Sequence, residues 1–220
     1  MRADDTAAQG IQRMTKPKLR RWQFLNSLIL HRDYKSYLEI GVRDGRCFNQ
    51  IQCEQKHGVD PAPQEGIEVE LPYAVMHAMT SEAFFEDNLN GFWDLIFIDG
   101  LHHSVQVIRD ALNALQRLNP GGTVVLHDCN PKMMEHTLTP IPKHLVGKTW
   151  NGDCWKALVW LRTHRKDLEV RTLDADEGLG VIRPDPRFLF EPAEFKWGML
   201  ETFREPMLGL VPVSKMEELL

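Results

Sequence analysis

Two hexapeptides constrain the fold of this chain more than anything else in it: DLIFID (94–99) and TVVLHD (123–128). Each is an apolar run too short for a helix and without the alternation of a strand that has one face in water. Each ends in an acid. A strand that is apolar on both sides is buried on both faces, which is the condition of a parallel sheet covered by helices. Between the two runs Val105, Ile108, Leu112 and Leu115 fall on one helical stripe, with Ser104 placed to cap it. Strand, helix and strand in that order form a crossover unit.

The alternation extends in both directions. KPKLRRWQFLNSLILHR predicts a first helix with Leu19, Trp22, Leu25, Leu28 and Ile29 on one stripe and a basic start, either solvated or turned to a phosphate or acidic substrate. SYLEI (36–40) reads as a strand, HGVD (57–60) ends another, and YAVMHA (73–78) is a third, followed by a short helix opening at Thr80 or Ser81. Asn119-Pro120-Gly121-Gly122 reads as a turn. The proline-bearing stretch 130–150 reads as a loop. GDCWKALVWLRTHR (152–165) is a helix capped by Asp153, and LEVRTLD (168–174) with LGVIR (179–183) forms a closing hairpin. The expected fold is α/β, one Rossmann-like domain over residues 16–183 with helices on both faces. A flexible stretch, 1–15, precedes it. An apolar arm, 184–220, follows and packs on the domain or on a second subunit, which would make a homo-oligomer.

Composition narrows the function. A net charge of −5 over 220 residues gives no general attraction to nucleic acid or anionic membrane. No apolar run reaches the ~18 residues of a membrane span, and the polar N-terminus does not read as a signal peptide. Cys47, Cys53, Cys129 and Cys154 have no C-x-x-C spacing, so free thiols in a reducing cytoplasm are expected.

Ligands of such sheets bind beyond the carboxyl ends of the strands. Four acids stand there: Glu39, Asp60, Asp99 and Asp128. After Glu39, Gly41 and Gly45 let a ligand approach the backbone. Asp60, nineteen positions after Gly41, is placed to accept both ribose hydroxyls of a nucleotide. A dinucleotide fingerprint has a second glycine where this chain has Arg43, and Asp44 would repel a phosphate. S-adenosylmethionine, with a ribose, an ammonium and no phosphate, suits these acids better than NAD. A nucleotide-cofactor oxidoreductase and a non-catalytic cofactor-binding scaffold are the competing readings.

The ordered set YLEIGVRDG, GVDPAP, MTSEAFF, DLIFIDGLHHSVQVIRDAL, NPGGTVVLHDCNP and NGDCWKALVWLR resembles class I S-adenosylmethionine-dependent methyltransferases, in particular the branch of sugar and natural-product O-methyltransferases. The resemblance implies a seven-stranded sheet with the last strand antiparallel. It gives Glu39, Gly41 and Gly45 to the methionine end of the cofactor, Asp60 to the ribose, and Ser81 and Glu82 to the adenine side, with Asp99 also beside the cofactor. Metal-dependent members have an acid where Asp99 stands and a histidine base three residues on, here His102. They also have an acidic pair after the next strand, here His127-Asp128. The resemblance thus implies His102 and Asp99 as catalytic groups and Asp99, His127 and Asp128 as ligands of Mg²⁺ or Mn²⁺. The acceptor would be a small hydroxylated molecule.

Overall fold

The computed structural model describes residues 18–67, 73–87, 91–185 and 195–220. The expected flexible stretch 1–15, and residues 186–194 of the expected arm, lie outside them. Five parallel strands come first: β1 (Ser36–Ile40), β2 (Gln55–Val59), β3 (Ala74–His77), β4 (Trp93–Ile98) and β5 (Leu118–Leu126). β6 (Leu168–Leu173) and β7 (Leu179–Pro184) form the hairpin, and β7 is antiparallel to both β5 and β6. β8 (Leu210–Val211) then adds itself to β6 in parallel. The order is β3-β2-β1-β4-β5-β7-β6-β8.

Among the described residues the sheet therefore has eight strands where seven were expected. Without β8, the outer edge of β6 would present unpaired backbone groups. Two residues suffice to cover it, because Thr172 N–H donates to the Gly209 carbonyl and Asp174 N–H to that of Val211.

Side chains alternate between two cores, as the pleat dictates. Leu38, Ile40, Ile96, Ile98, Val124 and Leu126 face α2 (Ser81–Asp87), α3 (Ser104–Leu115), α4 (Cys154–His164) and α5 (Trp197–Leu208). Tyr37, Leu95, Phe97 and Val125 face α1 (Arg21–Arg32), which buries Phe24, Leu25, Leu28 and Ile29. Burying one such side chain stabilises by roughly 2 kcal/mol. Trp155 is in the first core, and Phe195 and Trp197 pack against it.

Three local expectations are corrected. Ser104 is not the cap of α3: His103 holds that position, and Ser104 is the first helical residue. Asp153 does not cap its own helix with its side chain. Instead its carboxylate accepts the Ser104 N–H at 2.6 Å and the Ser104 hydroxyl at 3.0 Å, so it caps α3 from across the interface. An anionic carboxylate at a helix start is stronger there than a hydroxyl. Finally, Asn119–Gly122 does not precede the strand but bulges from it, since Trp93 pairs with Leu118 and Leu95 with Thr123. Asn119 Nδ2 donates to Asp94 at 2.7 Å and ties the bulge down.

Candidate active site

The chain fills the sheet outward in one direction from β1 and in the other from β4. These two strands are neighbours, so a crevice opens between their carboxyl ends. Gly41 stands at the crevice with φ +89°, and a Cβ there would lie 2.3 Å from the Asp99 carbonyl oxygen. Only glycine lets the two strand ends approach this closely. Arg43 adopts φ +51°, the left-handed conformation that glycine ordinarily supplies. Its N–H donates to Asp60 Oδ2 at 2.8 Å, and Asp60 Oδ1 accepts the Ala62 N–H at 2.8 Å. The loop carrying Gly45 is thereby tied to the loop after β2.

Glu39 is fully buried on the α1 face and accepts the Tyr37 hydroxyl at 2.6 Å. Burial pushes its carboxyl up to about 8, with the Tyr37 hydroxyl opposing. Ser81 opens α2. Its hydroxyl is 3.4 Å from Glu82 and accepts from Gln106 Nε2 at 3.3 Å. Glu82 borders a hollow of about 210 Å³ with Phe85, Asn113 and Arg117. A second hollow of about 420 Å³, lined by Arg32, Gly122, Glu169 and Arg183, lies at the opposite end of the strands from the acids.

Past β4 and β5, five charged groups converge. Asp99 Oδ1 is 3.4 Å from His102 Nε2 and 3.1 Å from His127 Nδ1. Asp128 Oδ2 is 3.3 Å from His102 Nε2 and 2.9 Å from His127 Nδ1. The other Asp99 oxygen accepts from Arg21 Nη1. Burial works against the Asp99 carboxylate, but His127, His102 and Arg21 outweigh it and hold its carboxyl well below the usual range. Burial likewise works against protonated His127, yet Asp128 and Asp99 push it up to about 10. For His102, burial again opposes the charge, and Asp99 and Asp128 raise its pKa. His127 Nε2 lies 2.8 Å from the Asp176 carbonyl, which can only accept, so that nitrogen carries a proton. Its Nδ1 faces the two carboxylates as an ionic contact, not aligned for a straight hydrogen bond.

The metal-ligand geometry falls on Asp99, His102 and Asp128, whose donor atoms all lie within 4.8 Å of one another. Two carboxylates and one imidazole fit a divalent ion. The expected set named His127 in place of His102. Each histidine has its other nitrogen on a backbone carbonyl, that of Asp176 for His127 and that of Trp150 for His102, and both turn a nitrogen toward the two acids.

Residues 38–129, from β1 to the acid cluster, match the family model described as a methyltransferase domain. No curated protein sequence matches the chain. Its fold is similar to that of the SAH-bound methyltransferase PaMTH1 from Podospora anserina, at 17% identity over 74% of this chain and 77% of that one, with a TM-score of 0.59. It is similar also to cofactor-bound Rv0187 from MTB, at 13% identity over 79% and 84%, with a TM-score of 0.57. An O-methyltransferase from Bacillus cereus in complex with SAH aligns at 11% identity over 73% and 79%, with a TM-score of 0.50.

The crevice has a further wall, most of which the sequence alone does not mark. The run Trp150–Asp153 forms one wall. The Trp150 carbonyl lies 3.1 Å from His102 Nδ1 and its ring stacks on the imidazole at 5.0 Å. The carbonyl fixes a proton on Nδ1 and leaves Nε2 for the crevice. Asn151, fully buried, donates to Asp128 Oδ1 at 2.7 Å. Gly152 has φ +57°, and a Cβ there would sit 2.0 Å from the His102 carbonyl oxygen. Lys156 is ion-paired with Asp153 at 3.2 Å. The string NGDCWKA held the signal for these contacts, but only as a family likeness. Asp176, on the other side, gives no signal in the sequence, and nothing sets Arg21 apart within the basic start of α1.

Proposed function

We propose that the protein transfers the methyl group of S-adenosylmethionine to a hydroxyl of a small acceptor, a sugar or natural product. The observation that supports this reading is the convergence of Asp99, His102 and Asp128 at the carboxyl ends of β4 and β5, with Glu39 and Asp60 at the ends of the neighbouring β1 and β2. Each Asp60 oxygen holds one loop amide and keeps a lone pair for a ribose hydroxyl. Glu39 is a buried carboxyl that a ligand ammonium would ionise. These acids favour a cationic ligand and disfavour a pyrophosphate, which weighs against NAD. Four free cysteines, three of them buried, suit a reducing cytoplasm.

In the transfer, the acceptor oxygen attacks the methyl carbon in line with the departing sulfur. The carbon–sulfur bond breaks, and a neutral thioether leaves with its electron pair. The hydroxyl proton passes to His102 Nε2, the nitrogen that the Trp150 carbonyl leaves open. Asp99 and Asp128, each within 3.4 Å, stabilise the imidazolium. A neutral base is required at the start, so the same acids that stabilise the product also hold some His102 in the inactive, protonated form.

A second reading rests on the three converging donors. Asp99 Oδ1, Asp128 Oδ2 and His102 Nε2 would hold a divalent ion, and the imidazole makes Mn²⁺ a better fit than Mg²⁺. When bound, such an ion supplies orientation of the acceptor oxygens and a lowered hydroxyl pKa. His102 would then be a ligand instead of the base. Incubation with methyl-labelled cofactor and a panel of sugars and hydroxylated metabolites, read by product mass spectrometry with and without chelator, tests both. Labelled product that survives exhaustive chelation supports the base. Product lost on chelation and regained with Mn²⁺ supports the ligand. Cofactor binding without turnover on any acceptor would favour a scaffold.

A further inference from the structure

The acid cluster is closed on its outer side by a ring of four residues from four elements. Asp99, after β4, accepts from Arg21 Nη1 at the start of α1. Arg21 is anchored in turn on Asp176, in the turn between β6 and β7: its backbone N–H and its Nε both donate to Asp176 Oδ2, at 2.8 and 3.1 Å. The Asp176 carbonyl takes the His127 Nε2 proton at 2.8 Å. His127 Nδ1 returns to Asp99 Oδ1 at 3.1 Å and closes the ring. One turn residue thus holds both cations that flank Asp99, one through its carboxylate and one through its carbonyl. Asp176 is buried and sits at φ +43°, a conformation uncommon for a residue with a Cβ. Lys18 with Glu177, at 3.5 Å, adds an outer contact between the same two segments.

We propose that Arg21 is a positioning residue for the methyl-transfer site, braced by Asp176, which fixes the Asp99 carboxylate so that Oδ1 faces His102 and His127. A carboxylate at the end of a strand can rotate about its last torsion. An arginine held from behind through its backbone N–H and its Nε, and bonded through Nη1 to Oδ2, arrests that rotation. Arginine suits this work because its planar fork reaches two carboxylates at once, which an ammonium on a flexible stem does not. The role rests on the methyl-transfer reading, yet the brace is a feature of the protein without acceptor. Within the basic start of α1, Arg21 is thus committed to two carboxylates, while Lys18 and Arg20 stay mostly in solvent.

The test uses the full chain and has two arms. In protein with ¹⁵N-labelled histidine, Arg21→Met should shift the imidazole signals of His102 and His127, while those of exposed His31 and His144 stay in place. In turnover of the acceptor found by the labelled-cofactor panel, Arg21→Met should lower kcat by about 10–100-fold, the size typical of lost outer supports of a site. SAH affinity should stay within about threefold of wild type. Arg21→Lys should fall between the two. Millimolar guanidinium should restore part of the activity of Arg21→Ala, and sodium chloride at equal ionic strength should not. Unchanged His102 and His127 signals in Arg21→Met would overturn the proposal. So would a turnover loss matched by loss of SAH affinity with no guanidinium rescue. Failure of wild-type protein to bind SAH would instead sink the methyl-transfer reading, and the histidine signals would still decide the role of Arg21.

Discussion

Glu39 offers a quantitative check on the electrostatics of the crevice. It is 1% exposed, its polar partner is a neutral hydroxyl, and burial raises its carboxyl from 4.5 to about 8. Between those values the folded protein keeps a proton that the unfolded chain has lost. Folding stability therefore falls as pH rises through this window, and the contribution is fully present only below about 4.5. At ~1.4 kcal/mol per pH unit the ceiling is about 5 kcal/mol. Local relaxation reduces this to a few kcal/mol. Glu39→Gln keeps an oxygen to accept the Tyr37 hydroxyl but cannot ionise. Urea denaturation of both proteins from pH 4.5 to 9 measures the effect. The stability difference should grow in favour of the glutamine variant up to about pH 8 and then level off. Because a ligand ammonium favours the ionised acid, S-adenosylmethionine should also release up to one proton on binding at pH 7. Calorimetry in buffers of different ionisation enthalpy reads that proton directly. A stability difference constant across the window, with no proton released on binding, would refute a neutral Glu39.

Asp60→Ala should weaken SAH binding by roughly 2–4 kcal/mol in calorimetry, since two ribose hydrogen bonds to a carboxylate are lost; undiminished affinity would remove Asp60 from the site. His102→Ala should slow turnover by ~10²–10⁴ while His103→Ala does much less. Equal small effects of the two would leave neither role proposed for His102 standing. Gly152→Ala should destabilise the fold by at least ~1 kcal/mol, because its φ is positive and the added methyl meets the His102 carbonyl. A melting temperature equal to wild type would contradict that close approach.

The parallel strands were legible because a buried strand announces itself by composition over five or six residues. SYLEI is β1 residue for residue, and DLIFID lies within one residue of β4 at each end. What escaped was decided at longer range. Ser104 and Asp153 are both good cap residues, and nothing local says that the carboxylate of one helix will cap the other. The pairing of β8 depends on an open edge of β6 that exists only after the hairpin has formed. Eight strands in place of seven follow from that edge, not from the weak signal of Leu210-Val211.

The site divides along the same line. The strand-end places of Glu39, Asp60, Asp99 and Asp128 were legible because sheet geometry brings the carboxyl ends of the parallel strands to one side. Arg21 reaches Asp99 across 78 positions and Asp176 across 155. In sequence Arg21 is one cation in a basic run, and Asp176 is one acid in a turn. Nothing distinguishes Arg21 from Arg20, whose guanidinium stays mostly in solvent and lies 4.0 Å from Asp176. The choice between them follows from the docking of α1: the stripe Phe24, Leu25, Leu28 and Ile29 fixes the rotation of the helix about its axis, and that rotation turns position 21 toward the crevice. Hydrophobic packing on one face thus determines which arginine meets Asp99. A helix turned by one residue would preserve the charge and composition of this segment and leave Asp99 without its brace.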